Sequence, residues 1–437
     1  MTTIATARYS FEEFDDGEAI KKVWRRLIPF LFVLYIINYL DRINIGFAAL
    51  SMNKDLMLTA TVFGFANSIF YIGYVACEIP SNLLLARFGA RIWIARILIS
   101  WGLASAATML VVGPYSLYAV RFVVGILEAG FVPGVLLYLT YWIPTSHRAR
   151  ANGWLMMAQP VAMALGGVVS GLILQYSHGA FGIAGWRWMF LIEGLPAIIL
   201  GVVAYFYLTD KPKDATWLTD AEKTKINSLV QASTVRAPER AKVSIWKQVT
   251  EPRILILSLA YFCLVNTINA NATWIPTIVR DVLKAYSLSS VGVVTAIPAI
   301  CAFILMPIWT RNSDRTQERM WHVIVALGMA AVGWTTVIYF PQPELRLFGL
   351  IFTVSGAFCA MSVFWTLPQA ILSEEARPAG IGLISAVGLL GSAVSPAVIG
   401  FLKDLTGGFA AGLLYITALL VVSMILIWIV GHRRHIA

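Results

Sequence analysis

Residues 25–48 read RRLIPFLFVLYIINYLDRINIGFA, and this stretch decides the fold. Crossing a hydrocarbon core takes roughly 20 mostly apolar residues, and the run is long enough. Two arginines head it, and an Asp41-Arg42 pair sits deep inside it. Lipid tolerates such a pair only where neighbouring helices shield it, so the stretch predicts one helix of a membrane-embedded bundle. Composition agrees. Of 437 residues, 59% are hydrophobic and 13% charged, against about 45–50% and about 25% in soluble domains. The mean hydropathy is +0.75. Too little polar surface remains to cover a water-soluble globule, which excludes soluble enzymes, disordered scaffolds and nucleic-acid binders. The formal charge of +10 is therefore not a nucleic-acid footprint.

Outward from this run, eleven more of similar length follow, at about 60–80, 91–112, 114–138, 150–176, 186–208, 253–283, 288–309, 320–340, 345–368, 378–402 and 408–431. The expected fold class is an all-α membrane protein, twelve transmembrane helices in two six-helix pseudo-symmetric bundles. The expected organisation is a tail at 1–24, a first bundle at 25–208, a polar linker at 209–252, a second bundle at 253–431 and a short tail at 432–437. Lysine and arginine orient the chain. With both termini in the cytoplasm, the tails, linker and same-side loops hold 25 of the 33 basic residues and the opposite loops hold six. The remaining two, Arg42 and Arg121, fall within spans. The basic balance thus reads as topology. The first residues are polar and acidic (Glu12, Glu13, Asp15, Asp16, Glu18), so no cleaved signal peptide is expected. Cys77, Cys263, Cys301 and Cys359 lie in apolar runs without CxxC spacing and read as small buried hydrophobes. His147, His178 and His322 have no acid or cysteine partners at metal-ligand spacing, so neither metal nor cofactor is expected.

Intramembrane charges mark function. The first span carries Asp41 and Arg42; the fourth carries Arg121 and Glu128, whose spacing of seven brings both to one helix face, about 20° short of two turns. With both carboxylates ionised, the four groups sum to zero. With Asp41 and Glu128 protonated they carry two positive charges, and the arginines offer forked donors matched to a carboxylate. The set therefore reads as a site coupling protons (Asp41, Glu128) to an anion (Arg42, Arg121). The rival reading is two structural ion pairs. Glu78 and Glu193, nearer span ends, read as structural. Tyr39 and Tyr74 lie at the same depth as the charges, and Gln159 stands beside the helix-breaking Pro160. Asn266, Asn269 and Asn271 crowd the seventh span, with Asn269 and Asn271 taken as substrate contacts. Gly130-xxx-Gly134, Gly167-xxx-Gly171 and Gly388-xx-Gly391 read as helix-packing surfaces.

Several segments together carry a family likeness: Asn38-Tyr39-Leu40-Asp41-Arg42, Pro80-Ser81-Asn82-Leu83-Leu84-Leu85 with Arg87-Phe88-Gly89-Ala90-Arg91, Trp186-Arg187-Trp188 through Glu193-Gly194-Leu195-Pro196, Ala215-Thr216-Trp217-Leu218-Thr219 and Ser313-Asp314-Arg315. Over nearly its whole length the chain resembles the major facilitator superfamily and, within it, the bacterial anion:cation symporters. That resemblance implies uptake of organic acids of the sugar-acid, tartrate, phthalate or hydroxyphenylacetate type, driven by protons. It assigns proton coupling to Asp41 and Glu128, substrate binding to Arg42, Arg121, Tyr39, Tyr74 and Gln159, and gating to Arg87, Arg91, Asp314 and Arg315. Two departures stand out. Ala86 occupies a position where the superfamily usually has an acid, so gating there leans on Arg87 and Arg91. Ser385 and Leu389 replace asparagines of sugar-acid relatives in the eleventh span, which points to a less hydroxylated acid.

The expectation is a monomeric carrier in a bacterial inner membrane that imports a small organic anion with protons by rocker-switch alternating access. Its partners are the anion, protons and the lipid bilayer, with no nucleic acid. An exporter or exchanger of the same fold is the first rival and a non-transporting sensor the second. An enzyme fits poorly, for want of a nucleophile–base, metal or cofactor motif.

Overall fold

A computed structural model describes residues 17–235, 248–283, 287–373 and 376–432. Among them are twelve helices long and apolar enough to cross a membrane. The first to sixth spans are Gly17–Asp55, Ala60–Phe88, Ala90–Leu110, Pro114–Trp142, Ser146–Tyr176 and Gly185–Tyr207. The seventh to twelfth are Pro252–Asp281, Leu288–Thr316, Met320–Tyr339, Pro343–Ile371, Ala379–Thr406 and Ala410–His432. No strand occurs among the described residues. Every span expected from the sequence is present, but several run past the expected limits. The first is one helix of 39 residues. Its polar ends contain no breaker, so backbone hydrogen bonding continues where lipid stops. The linker adds a helix at Asp220–Val235, to which the first span is tied by Lys22–Glu222 at 2.5 Å. Of the linker's basic residues, Arg236, Arg240, Lys242 and Lys247 lie outside the described residues.

Three spans are broken. The fourth consists of Pro114–Glu128 and Phe131–Trp142, joined through Gly130 at a φ of 85°. The fifth turns at Met157, the break expected from Pro160, which lacks the amide hydrogen of an unbroken helix. The tenth breaks at Trp365. Elsewhere Pro29, Pro80, Pro196 and Pro276 sit inside continuous helices.

An even span count puts the termini and the linker at one end of the bundle, here the linker end. At the opposite, far end, spans before and after the linker approach backbone to backbone. A Cβ on Gly64 would meet the Pro396 carbonyl, one on Gly400 the Ala60 carbonyl, and one on Gly167 the Gly292 carbonyl. Asp404 of the eleventh span caps the second, accepting from the amides of Ala60 (3.1 Å) and Thr61 (2.7 Å) and from the Thr61 hydroxyl (2.6 Å). Gln175 accepts from the amide and hydroxyl of Ser289, and Arg280 donates to the Leu50 carbonyl. Small residues permit this closeness, because in lipid helices associate by packing and not by hydrophobicity.

Candidate functional site

The site gathers where the second span crosses the fourth beside the first. Glycines set the crossing: the Phe122 carbonyl fills the space a Gly73 Cβ would need, and the Phe70 carbonyl that of Gly125. The close approach lays Phe70 and Tyr74 over two arginines. The Arg42 guanidinium lies 4.8 Å from the Tyr74 ring centroid, and that of Arg121 lies 4.6 Å from the Phe70 centroid. Glu128 ends the helical segment just before the Ala129–Gly130 break and is fully buried. Its Oε1 accepts from Arg42 Nε at 2.6 Å and from Asn38 Nδ2 at 2.8 Å. Asn38 and Arg42 stand four apart and so share a helix face. The second carboxylate oxygen, Oε2, and Arg42 Nη2 have no hydrogen-bond partner.

Geometry thus draws one ion pair from the four charges. Arg121 and Glu128 do face the same way, but seven residues of rise separate them by about 10 Å, too far to touch. Among the described residues no carboxylate lies within ion-pair distance of Arg121. Its Nη2 donates only a long bond to Asn67 (3.5 Å), and its Nε has no partner. Asp41 precedes its neighbour Arg42 around the helix by about 100° and so points elsewhere. It accepts from Ser105 of the third span and from Asn44 at 3.1 Å, with no cation among the described residues in ion-pair reach. The two-pair reading is therefore corrected to one closed pair, Arg42–Glu128, and two groups without an ionic partner.

The neutral candidates divide as well. Tyr39 is buried against the core near Tyr35 and Tyr71. Gln159 donates to the Tyr35 hydroxyl at 2.7 Å, which in turn reaches Met156. Asn269 is occupied, accepting from Tyr71 (3.2 Å) and donating to the Ser392 carbonyl (2.5 Å). Asn266 is equally committed, to Phe262 and Tyr415. Asn271 is 2% exposed, yet neither its Nδ2 nor its Oδ1 has a partner. Asn38, Asn67 and Ser105 were not singled out by the sequence. Asn38 had a signal, its four-residue spacing from Arg42; Ser105, a lone serine on another span, had none.

The proposed gate residues make local contacts. Arg91 gives its amide to Asp210 (2.8 Å) and its guanidinium to the Tyr205 ring (5.0 Å), and Arg87 lies against Phe88. Asp210 thus caps the third span and supplies an acid near the place where Ala86 lacks one. Asp314 pairs with Arg319 at 2.5 Å across the eighth-to-ninth turn, while Arg315 is exposed. Glu193 departs from its expected interfacial setting. It is 4% exposed, accepts from Ser170 at 2.7 Å and leaves Oε2 without a partner. No group of three or more metal-ligating side chains occurs among the described residues.

A model of the family described as Major Facilitator Superfamily matches residues 31–396. A protein of Agrobacterium vitis named as a tartrate transporter is 42% identical over 94% of this chain and 94% of its own length. A quinolone resistance transporter of Acinetobacter baumannii is 36% identical over 95% of each chain. Among solved structures, a bacterial homologue of the human lysosomal transporter Spinster, inward-facing and occupied, superposes with a TM-score of 0.75 at 17% identity, over 95% of this chain and 98% of that one.

Proposed function

The chain belongs to the Major Facilitator Superfamily, and from that premise we propose that it imports a small organic carboxylate together with protons. It is a multi-pass membrane transporter and not an enzyme. We place it in a bacterial inner membrane with tails and linker in the cytoplasm, on the skew of lysine and arginine toward that side.

One observation carries the proposal: the buried Arg42–Glu128 pair beside an Arg121 that has no carboxylate of its own. A closed pair has no net charge and can cross the bilayer centre unloaded. A proton on Glu128 ends its ionic hold on Arg42 and leaves two guanidinium groups, Arg42 and Arg121, without a carboxylate. A substrate carboxylate then takes the place of the Glu128 carboxylate as the acceptor, with Tyr39, Tyr74 and Gln159 around it. Asp41 takes the second proton. After the carrier turns inward, the substrate leaves, the acids release their protons to the cytoplasm, and Arg42 recloses on Glu128. Two protons with a monoanion move one net positive charge per cycle, which gains about 2.3 kcal/mol per 100 mV of potential. A dianion makes the cycle electroneutral. The resemblance of the chain to a protein named for tartrate supports the substrate class.

Uptake in proteoliposomes with an inward proton gradient and an internal pH dye tests this. The panel holds tartrate, a hexonate, a hexarate, phthalate, hydroxyphenylacetate, benzoate and an uncharged sugar. Acidification with one class of acid is expected, and Glu128→Gln abolishes it while substrate still binds. Normal gradient-driven accumulation by Glu128→Gln overturns the coupling assignment. The relative named for quinolone resistance favours export as a second reading. Efflux that no acid of the panel competes with is the result that would support it.

A further inference from the structure

Glu193 is a carboxyl buried in the sixth span, with no cation among the described residues in ion-pair reach. Its donors are few: Ser170 of the fifth span holds one oxygen at 2.7 Å, and the other is bare. A carboxylate kept in a bundle for structure comes with a counter-charge, because an uncompensated charge away from water is expensive. The charged group that faces Glu193 is another acid, Asp41 of the first span. Neither the third nor the fifth span brings a cation to it. Asn44 stands between the two carboxyls, donating to Asp41 at 3.1 Å and facing Glu193. Asp41 is completed by Ser105 on its other side. Among the described residues neither of these two buried acids has a cation within ion-pair distance; Asp41 also faces Glu128 and Arg121, so the two acids adjoin the Arg42–Glu128 pair on its Glu193 side.

Position gives the two acids a direction. Glu193 lies eight residues from the far-end start of its helix at Gly185, while Asp41 lies fourteen from the far-end limit of its own at Asp55. By helical rise that is about 12 Å against about 21 Å of depth. Glu193 thus stands between Asp41 and the far end, where Asp55 receives the Trp186 indole and Arg187 reaches the Met109 carbonyl.

We propose that Glu193 is a third proton-carrying group, which loads Asp41 from the far side of the membrane. This rests on the proton-symport reading above. In the step, the O–H bond of the Glu193 carboxyl breaks as an O–H bond forms on Asp41. The Glu193 carboxylate left behind recovers a proton from the far-side solution. Charge is conserved across the pair, Asn44 orients both groups, and Ser170 donates to whichever form Glu193 holds.

The test is Glu193→Gln, nearly isosteric, compared with Asp41→Asn in proteoliposomes at several external pH values. Expected for Glu193→Gln are a fall of about tenfold or more in gradient-driven accumulation, fewer protons entering per substrate, and a flattened pH profile, with substrate binding to the purified protein retained. Accumulation, proton ratio and pH profile equal to the parent protein would overturn the proposal. If Asp41→Asn and Glu128→Gln also accumulate normally, it is the symport reading that fails. Should Glu193→Gln not fold, Ser170→Ala replaces it. Loss of that donor is expected to displace the pH midpoint of uptake by about half a unit, and an unmoved midpoint refutes the role.

Discussion

Arg42 donates through Nε to Glu128 and holds a second nitrogen, Nη2, apart for another acceptor, whereas a lysine would have to serve both from a single nitrogen. The planar fork makes this possible, whereas an ammonium is a compact point charge. Arg42→Lys is therefore expected to keep the protein folded and lose roughly 10- to 100-fold in substrate affinity, from a charge-assisted hydrogen bond worth about 1.5–3 kcal/mol. Isothermal titration of the purified protein against the transported acid measures it, and unchanged affinity contradicts the assignment. At this scale the sequence was partly legible. The four charges announced themselves because lipid makes each one costly. Their pairing did not, since it depends on a rotation of about 100° between Asp41 and Arg42 and on which neighbouring span each then meets. Asn269 reads as a substrate contact on its polarity alone, and the structure commits that polarity to Tyr71 and Ser392.

Among the elements, the fourth span shows how a break serves placement. The helix stops at Glu128, and Gly130 at a φ of 85° redirects the chain. A side chain there would adopt the left-handed region, costing about 1–2 kcal/mol, and its Cβ would also collide with Ser81. Gly130→Ala is expected to lower the melting temperature in detergent and to weaken uptake more than the stability loss alone explains, because Glu128 is displaced with the break. A melting curve and an uptake rate unaltered by the change refute this. Apolar runs made all twelve spans legible. Their ends were less so, because helices continue past the lipid wherever no breaker intervenes, as the first span does. The fifth-span break was readable from Pro160, and Pro133, three residues past Gly130, carries the same signal for the fourth, where the glycines read as packing instead.

For the whole molecule, the far end is closed by contacts between spans from either side of the linker. Asp404 is the most developed of them, with its carboxylate on two amides and a hydroxyl at the start of the second span. An anion at a helix N-terminus is favourable there, and its hydrogen bonds are charge-assisted. Asp404→Asn is expected to raise the far-end-open population about tenfold, the equivalent of about 1.4 kcal/mol. Spin labels at Thr59 and Thr406 report it as growth of the longer interlabel distances, and an unchanged distribution sinks the idea. The backbone seam at Gly167–Gly292 has a further consequence, electrical in kind. A membrane voltage drops where a protein conducts least, and carbonyl packed on glycine leaves no room there for water. In the alternating-access carrier proposed above, with its linker side filled by water, most of the voltage falls across this seam while it is shut. Parting the seam relocates that drop to the linker side, past the same fixed arginines. The carrier can thus be electrically driven by a reshaping of its insulation, with little travel required of the charges themselves.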